Sequence, residues 1–102
     1  GSGTTKSLIV MGEKAKGVGA RIATVTMFPE HTIGQMADVI VTVPGSTLKK
    51  AEGEKNLAES VQPMGNLFEQ MSWLVYDSTI MVLMDELHQT SEEMMGRHTN
   101  LE

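Results

Sequence analysis

Short helix-type and strand-type patterns of apolar residues alternate in the first half of the chain. Apolar side chains recur at helical spacing in residues 6–16, and Gly17 is expected to end this helix. Residues 21–27 and 38–43 are short β-branched runs, each closely followed by a proline, and they predict two strands. Residues 30–37 between them have room for about two turns of helix at most. This order predicts an α/β fold.

The second half of the chain begins with a polar segment and continues as a long helix. Residues 47–60 are rich in charged side chains and poor in apolar ones, which predicts a solvated loop. A helix is expected from Pro63 to about His88, because proline is favourable at a first helical position. Thr90 and Glu93 have the spacing of a capping box and predict the start of a last short helix.

Apolar residues occupy nearly every face of the long helix, and a helix of this kind is usually buried nearly all round. One side is expected to cover the sheet and another to meet a second subunit, so the sequence predicts a homo-oligomer. The apolar residues of this helix include Met64, Leu67, Phe68, Met71, Trp73, Leu74, Val75, Tyr76, Ile80, Met81, Val82 and Met84.

Two strands are too few for a free-standing domain of this type. Parallel sheets are covered on both faces and typically contain about five strands. The glycine-rich stretch at residues 1–5 also has no strand in front of it, although it leads into a helix. We therefore expect an N-terminal segment that supplies further strands and helices to be absent from this chain.

Composition excludes several classes of function. The chain has 13 acidic and 8 basic side chains and a formal charge of −5, which disfavours a nucleic-acid partner. It has no cysteine, so disulfides, thiolate nucleophiles and cysteine-based zinc sites are excluded. No histidine pair has the spacing of a metal site, and no metal is expected. Without a signal peptide or a long uncharged apolar run, the chain is predicted to be a cytoplasmic protein without membrane contact.

The first candidate for chemistry is the turn Gly1–Thr5, which precedes the first predicted helix. Its backbone N–H groups, its hydroxyls and the positive end of the helix dipole could together hold an anion such as phosphate. Ser2, Gly3, Thr4 and Thr5 would then be the ligands. An ordinary helix start or a remnant of cloning at Gly1 and Ser2 explains this stretch equally well. Nucleotide binding is disfavoured, because Thr5 stands where a P-loop requires glycine before its lysine.

Glu69 is the second candidate, since it is the lone charged residue between Gln62 and Tyr76 in a helix expected to be buried. Burial of an unpaired carboxylate is costly, so the residue calls for a reason. Helical spacing places Gln62, Gly65 and Asn66 on the stripe of Glu69, as in the wall of a pocket. The alternatives are a role as general base and a structural hydrogen bond or inter-subunit ion pair.

The three histidines carry less information. His31 is expected at a helix start on the surface, and the dipole at the end of the long helix is sufficient explanation for His88. His98 lies in a short tail that could reach a neighbouring subunit or could be a disordered terminus.

Four stretches, taken in order, resemble the later motifs of the 6-phospho-3-hexuloisomerases, which are members of the sugar isomerase (SIS) domain family. They are Gly1–Ile9, Pro44–Ser46, the block Gln62–Gln70 and the ending His98–Glu102. The resemblance implies a doubly wound, flavodoxin-like parallel sheet in a three-layer α/β/α arrangement. Residues 1–102 would be the C-terminal part of one such domain.

The resemblance also implies a reaction and the residues that perform it. The family interconverts D-arabino-hex-3-ulose 6-phosphate and fructose 6-phosphate through a cis-enediol(ate) without a cofactor. The implied physiological role is either formaldehyde assimilation by the ribulose monophosphate pathway or pentose phosphate supply. The resemblance assigns Ser2 and Thr5 to phosphate binding and Glu69 to proton transfer. It assigns His98 to an active site shared between the subunits of a tetramer. Thr4 departs from the acidic or amide residue expected there. Because an earlier phosphate loop has no counterpart, the chain alone is expected to be inactive.

Two readings from other classes compete with the enzyme. A non-catalytic SIS module could sense a sugar phosphate in a regulator, or the chain could be an interaction fragment that only mediates assembly. A carboxylate at position 69 argues against both, because neither sensing nor assembly requires it.

Overall fold

In a computed structural model, residues 1–50 and 52–98 are described, and they form two compact units. The first unit comprises Gly1–Ser72 and the second begins at Trp73. The elements in chain order are α1 (Lys6–Gly17), β1 (Ala23–Thr26), α2 (Thr32–Met36), β2 (Val39–Thr42), α3 (Asn66–Glu86) and α4 (Ser91–Met95).

The strands of the first unit pair in parallel, in a register that sets Ala23 opposite Val39 and Thr26 opposite Thr42. Helix α2 connects them, and it is a single short helix of five residues, as the length of the connection predicted. The predicted α/β class with parallel strands is thus confirmed for this unit. Both strands are shorter than their sequence patterns, because only the central residues of each run pair with the other strand.

The core of the first unit lies at the carboxyl ends of its strands. Met27 and Phe28 follow β1, Val43 follows β2, and each is 3% exposed. By contrast, the apolar side chains within β2 are 38–49% exposed. The sheet therefore packs tightly where its strands end and leaves the apolar surface of β2 uncovered within this chain.

Glycine allows two close approaches in this core. A Cβ atom on Gly34 would lie 2.0 Å from the carbonyl oxygen of Pro29, so α2 can pack against the end of β1 only with glycine at this position. A Cβ atom on Gly45 would lie 2.7 Å from the sulfur of Met27 and 2.9 Å from Cβ of Phe68. The start of α3 therefore packs directly on the backbone that follows β2.

Helix α1 ends at Gly17, and the chain reverses two residues later at Gly19. Gly19, with φ +78°, adopts the left-handed conformation, and the N–H of Ala20 donates to the carbonyl of Ala15 at 3.0 Å. This is the hydrogen bond of a Schellman motif. The prediction that Gly17 ends the helix is confirmed, since Gly17 is the last helical residue, and Gly19 supplies the reversal of the chain.

In the second unit, His88 has the role that Gly19 has in the first. Its φ is +51°, and the N–H of Gln89 donates to the carbonyl of Met84 at 2.8 Å, which closes α3 in the same way. The backbone conformation of His88, more than its charge, thus accounts for its position at the helix end. The capping box of α4 is confirmed, because the side chains of Thr90 and Glu93 each bond to the other's backbone N–H.

The predicted loop at residues 47–60 is confirmed for the part that is described, since neither helix nor strand is assigned there. Within the described residues, no helix combines the length and the apolar character needed to span a membrane.

Candidate active site

The backbone of the turn Gly1–Thr5 is fixed by the end of β1 and by the chain that continues from it into α2. Three consecutive carbonyls of the turn contact donors there: Gly1 with Thr26 Oγ1 (2.9 Å), Ser2 with His31 Nδ1 (2.6 Å) and Gly3 with Ile33 N (3.1 Å). Because these carbonyls point toward β1 and α2, the turn has a defined shape before any ligand binds.

The turn itself requires a glycine at its centre. Gly3 has φ +69°, which is unfavourable for other residues, and a Cβ atom there would lie 3.2 Å from Cβ of His31. Thr5 then caps α1 through its backbone, since its carbonyl accepts from the N–H of Ile9 at 3.0 Å. The Thr5 side chain makes no capping hydrogen bond. Its hydroxyl and the first N–H groups of α1 are therefore not used within the helix.

The start of α3 forms a second part of the candidate site. Met64 turns the chain with φ +55°, the N–H of Asn66 donates to the carbonyl of Pro63 at 3.3 Å, and that of Glu69 donates to the carbonyl of Gly65 at 3.0 Å. Asn66 and Glu69 therefore lie in the first turn of the helix. A Cβ atom on Gly65 would meet nothing within 4 Å, so this glycine leaves open space beside them.

The turn and the start of α3 share one open cavity of about 580 Å³, wholly within the first unit. Five of the residues predicted from the sequence lie in its wall: Ser2, Thr5, Gly65, Asn66 and Glu69. The remaining lining residues are Gly1, Met27, Thr47, Leu48, Lys49, Met64 and Phe68. The structure thus brings the hydroxyls of the predicted anion site to the same cavity as the predicted base.

Glu69 differs from expectation in one respect, because it is exposed in this chain. The sequence suggested a carboxylate buried in an apolar helix. In the structure the first turn of α3 is covered on the side of Phe68, whose Cβ packs near Gly45, and Glu69 faces the open cavity. Glu69 is exposed because this cavity is open, so its carboxylate pays no desolvation cost.

Lys49 is a charged lining residue that the sequence analysis missed. It was assigned to a solvated loop together with the neighbouring charges. Its backbone N–H donates to Thr47 Oγ1 at 3.0 Å, while the N–H of Thr47 donates to Asn56 Oδ1 at 3.0 Å. The sequence signal for this local turn is the threonine at position 47, because a threonine hydroxyl can accept from the backbone N–H two residues later.

Gly3, Thr4 and Gln62 are not among the described residues that line the cavity. Gly3 shapes the turn, and the hydroxyl of Thr4 lies 3.3 Å from that of Ser2. The amide of Gln62 donates to Gln70 Oε1 at 3.1 Å. Direct contact of these three residues with a ligand therefore stays a prediction.

His98 belongs to the second unit, where its backbone N–H donates to the carbonyl of Met95 at 3.0 Å. Its side chain lines a shallow hollow beside α4. The rest of its motif, residues 99–102, lies outside the described residues. A role for His98 in the active site stays a prediction.

His31, expected as an ordinary surface residue, is mostly buried and bonded at both ring nitrogens. Nδ1 lies 2.6 Å from the Ser2 carbonyl oxygen and Nε2 lies 2.5 Å from Glu54 Oε1. The hydrogen bond to Glu54, followed by that to Ser2, raises the pKa of His31 above its usual range. Glu30 lies close to this pair. One ring nitrogen of His31 and one carboxylate oxygen of each glutamate lie within 4.8 Å of one another.

Comparison with known proteins gives relatives that cover the whole chain. A 3-hexulose-6-phosphate isomerase of Bacillus subtilis (strain 168) is 44% identical over 102 residues, which are 100% of this chain and 54% of that protein. A protein of the same name from Mycobacterium gastri is 35% identical over 102 residues and is covered to 49%. A crystal structure of a hypothetical protein matches with a TM-score of 0.79 and 28% identity, over 99% of this chain and 52% of the other.

No family model matches the chain. The chain spans about half the length of the curated relatives that it matches. The resemblance to the 6-phospho-3-hexuloisomerases is thus confirmed at the level of homology: the whole chain is homologous to about half of proteins named 3-hexulose-6-phosphate isomerase.

Proposed function

We propose that this chain is the C-terminal part of a single SIS domain and carries the base and one phosphate loop of a phosphosugar isomerase. The observation that carries the proposal is the cavity that Ser2, Thr5 and Glu69 line together. The names of the homologous proteins supply the substrate class, a hexulose 6-phosphate. The specific reaction is the interconversion of D-arabino-hex-3-ulose 6-phosphate and fructose 6-phosphate.

The phosphate group binds at the turn Gly1–Thr5. The hydroxyls of Ser2 and Thr5 and the first N–H groups of α1 donate to its oxygens, and the helix dipole favours its negative charge. Lys49 lines the same cavity and adds the positive charge that a dianion needs beside the Glu69 carboxylate. Phosphate binding then holds the carbon chain against Glu69, so that part of the binding free energy lowers the barrier through orientation.

Glu69 acts as the general base. It removes the proton on C2 of the 3-ketose, which gives a cis-enediol(ate), and it returns a proton to C3. The proton of the C2 hydroxyl moves to the oxygen on C3, so the carbonyl shifts by one carbon and no atom is gained or lost. No cofactor takes part in this sequence, because the electrons move only within the substrate.

His98, from a neighbouring subunit, is the group proposed to move the hydroxyl proton or stabilise the oxyanion. The enzyme is then a homo-oligomer, and a tetramer is the assembly that the family resemblance implies. The exposed apolar side chains of α3 support such an assembly, among them Trp73 at 68% and Tyr76 at 52% exposure.

In the complete domain, further strands are proposed to extend the sheet and further helices to cover its faces. The exposed apolar residues of β2 support this, together with the match to only half of each relative. The chain by itself is expected to be inactive, since it has one phosphate loop.

The test of the proposal is the variant Glu69→Gln in the complete protein. Turnover of the hexulose 6-phosphate should fall by about 10²- to 10⁴-fold, because the amide cannot accept the carbon-bound proton. Substrate affinity should be largely retained, since the phosphate contacts remain. Steady-state kinetics with isomer formation as the readout measures both quantities.

The matched control is Glu86→Gln, which removes an exposed carboxylate near the other end of the same helix. Its turnover should equal that of the unmodified protein. Near-normal turnover in Glu69→Gln would remove this residue from the role of base and, with it, the proposed function of the cavity.

A further inference from the structure

We propose that His31 is a positioning residue that, as an imidazolium ion, holds the anion-binding turn Gly1–Thr5 in its ligand-competent shape. The inference rests on the proposed function in so far as this turn binds the phosphate of the substrate. The inference goes beyond the proposed function because His31 lies neither in the cavity wall nor in the family motifs, and because it assigns this residue a protonation state.

Both nitrogens of the His31 ring face atoms that can only accept a hydrogen bond. Nδ1 lies 2.6 Å from the carbonyl oxygen of Ser2, and Nε2 lies 2.5 Å from Oε1 of the Glu54 carboxylate. A neutral imidazole has one N–H and can satisfy one of these acceptors, whereas an imidazolium has two. The pair of contacts therefore requires the protonated ring.

The surroundings of the ring favour the positive charge. The carboxylates that face it are Glu54, which bonds Nε2, and Glu30, which lies in the segment before α2. The Phe28 ring stacks on a face of the His31 ring, with centroids 4.8 Å apart and 18° between the planes. The His31 side chain is 13% exposed, so solvent screens these interactions only partly. The pKa of His31 is accordingly raised, first by the hydrogen bond to Glu54 and then by that to Ser2.

Loss of the proton acts on the turn directly. The remaining proton stays on the side of the Glu54 carboxylate, which is the stronger acceptor, and the Nδ1 lone pair then faces the Ser2 carbonyl oxygen. Two lone pairs at this distance repel each other, so the Ser2 carbonyl moves and the adjacent Gly3 loses its fixed conformation. The Gly1 and Gly3 carbonyls keep their own bonds to Thr26 and Ile33, which confines the change to the middle of the turn.

The sign of the pH effect follows from the raised pKa. The stabilisation of the turn is fully present below the ordinary pKa of histidine and is lost as the pH rises through the raised pKa of folded His31. Anion affinity should therefore decrease with rising pH across this window, by about fivefold for the loss of one hydrogen bond. By linkage, a bound anion should raise the pKa of His31 by the corresponding amount.

The experiment measures both sides of this linkage in the complete protein. Sulfate is the probe, because its charge does not change in the neutral range, and its inhibition constant against the sugar phosphate is measured as a function of pH. The pKa of His31 is measured by mass spectrometry of hydrogen exchange at its ring C2 atom, with and without sulfate. Glu54→Gln and His31→Asn are compared with the control Glu52→Gln, an exposed carboxylate in the same loop.

In the unmodified protein and in Glu52→Gln, sulfate inhibition should weaken as His31 deprotonates, and sulfate should raise the His31 pKa. In Glu54→Gln both transitions should move to lower pH together. In His31→Asn the transition should disappear, and KM for the sugar phosphate should rise more than kcat falls. This split separates a role in holding the phosphate turn from general damage to the fold.

Two results would overturn the inference alone. In the first, the protein turns over substrate and sulfate competes with it, but Glu54→Gln leaves the pH dependence of sulfate inhibition unchanged. In the second, the measured pKa of His31 changes neither with Glu54→Gln nor with sulfate. Failure of the unmodified protein to bind any hexulose phosphate or sulfate would instead remove the proposed function together with this inference, so the two failures are distinguishable.

Discussion

The two units of this chain use their apolar residues in opposite ways. The first unit buries Met27, Phe28 and Val43 at the ends of its strands and sets a cavity beside them. In the second unit, none of the described residues 73–98 is buried, although α3 is rich in large apolar side chains. The first unit thus forms a core at its strand ends, whereas the part of α3 in the second unit leaves its apolar side chains accessible to water.

The difference shows that apolar content alone does not make a core. In the first unit, Gly34 and Gly45 let helices approach the strand ends closely, so a few side chains become inaccessible to water. In the second unit the apolar residues point around the whole circumference of a single helix. The second unit by itself cannot bury such a surface, which is why we relate it to assembly.

The largest expected effect tests whether the second unit serves a neighbouring copy. Glu69→Gln and His98→Asn should each lower turnover by about 10²-fold or more. In hybrid oligomers assembled from both variants, some sites combine Glu69 from the His98→Asn copy with His98 from the Glu69→Gln copy, so both residues of those sites are native. Mixed and reassembled protein should therefore be at least about tenfold more active than either variant. The measurement is specific activity after mixing, with each variant reassembled alone as control. Absence of recovery in verified hybrids would place His98 outside a shared site.

Gly34→Ala tests the compact core of the first unit. The new Cβ would lie 2.0 Å from the Pro29 carbonyl oxygen, a backbone atom, so α2 must move away from β1. We expect a loss of about 3 kcal/mol in the free energy of unfolding, measured by denaturant titration. Gly17→Ala is the matched control, because its Cβ meets nothing within 4 Å, and stability should be unchanged or slightly higher. Equal stability of both variants would contradict the close approach.

The smallest expected effect concerns Lys49. Lys49→Gln should weaken binding of the sugar phosphate and of inorganic phosphate together, by about tenfold, through loss of one charge in the cavity. The neighbouring exposed Lys50 does not appear in the cavity wall, and Lys50→Gln is the control. The readouts are KM and the phosphate inhibition constant. Equal effects of the two substitutions would mean that Lys49 acts only through the general field of the protein.

Local patterns predicted most of the secondary structure. The β-branched runs gave both strands, the spacing of Thr90 and Glu93 gave the capping box, and the apolar pattern gave the long helix. These features depend on neighbouring residues, so a sequence pattern contains them. The exact helix ends were less accessible, since Gly19 and His88 reverse the chain through their backbone conformation.

The candidate site was predicted in part. The sequence singled out the turn at residues 1–5 and Glu69, and their common cavity is consistent with that choice. It gave a buried carboxylate where the structure has an exposed one, and it missed His31 and Lys49 as neighbours of the turn and the cavity. Each of these errors concerns contacts between segments far apart in the chain.

By itself, then, the sequence determined the order and type of the elements, the absence of thiol chemistry and the family resemblance of its motifs. Tertiary structure alone decided that the Ser2 carbonyl meets His31, which is 29 residues away, and that the other ring nitrogen of His31 meets Glu54, 23 residues further on. The physical reason is that hydrogen-bond partners and solvent exposure depend on how strands and helices pack, and no local pattern of residues encodes those distances.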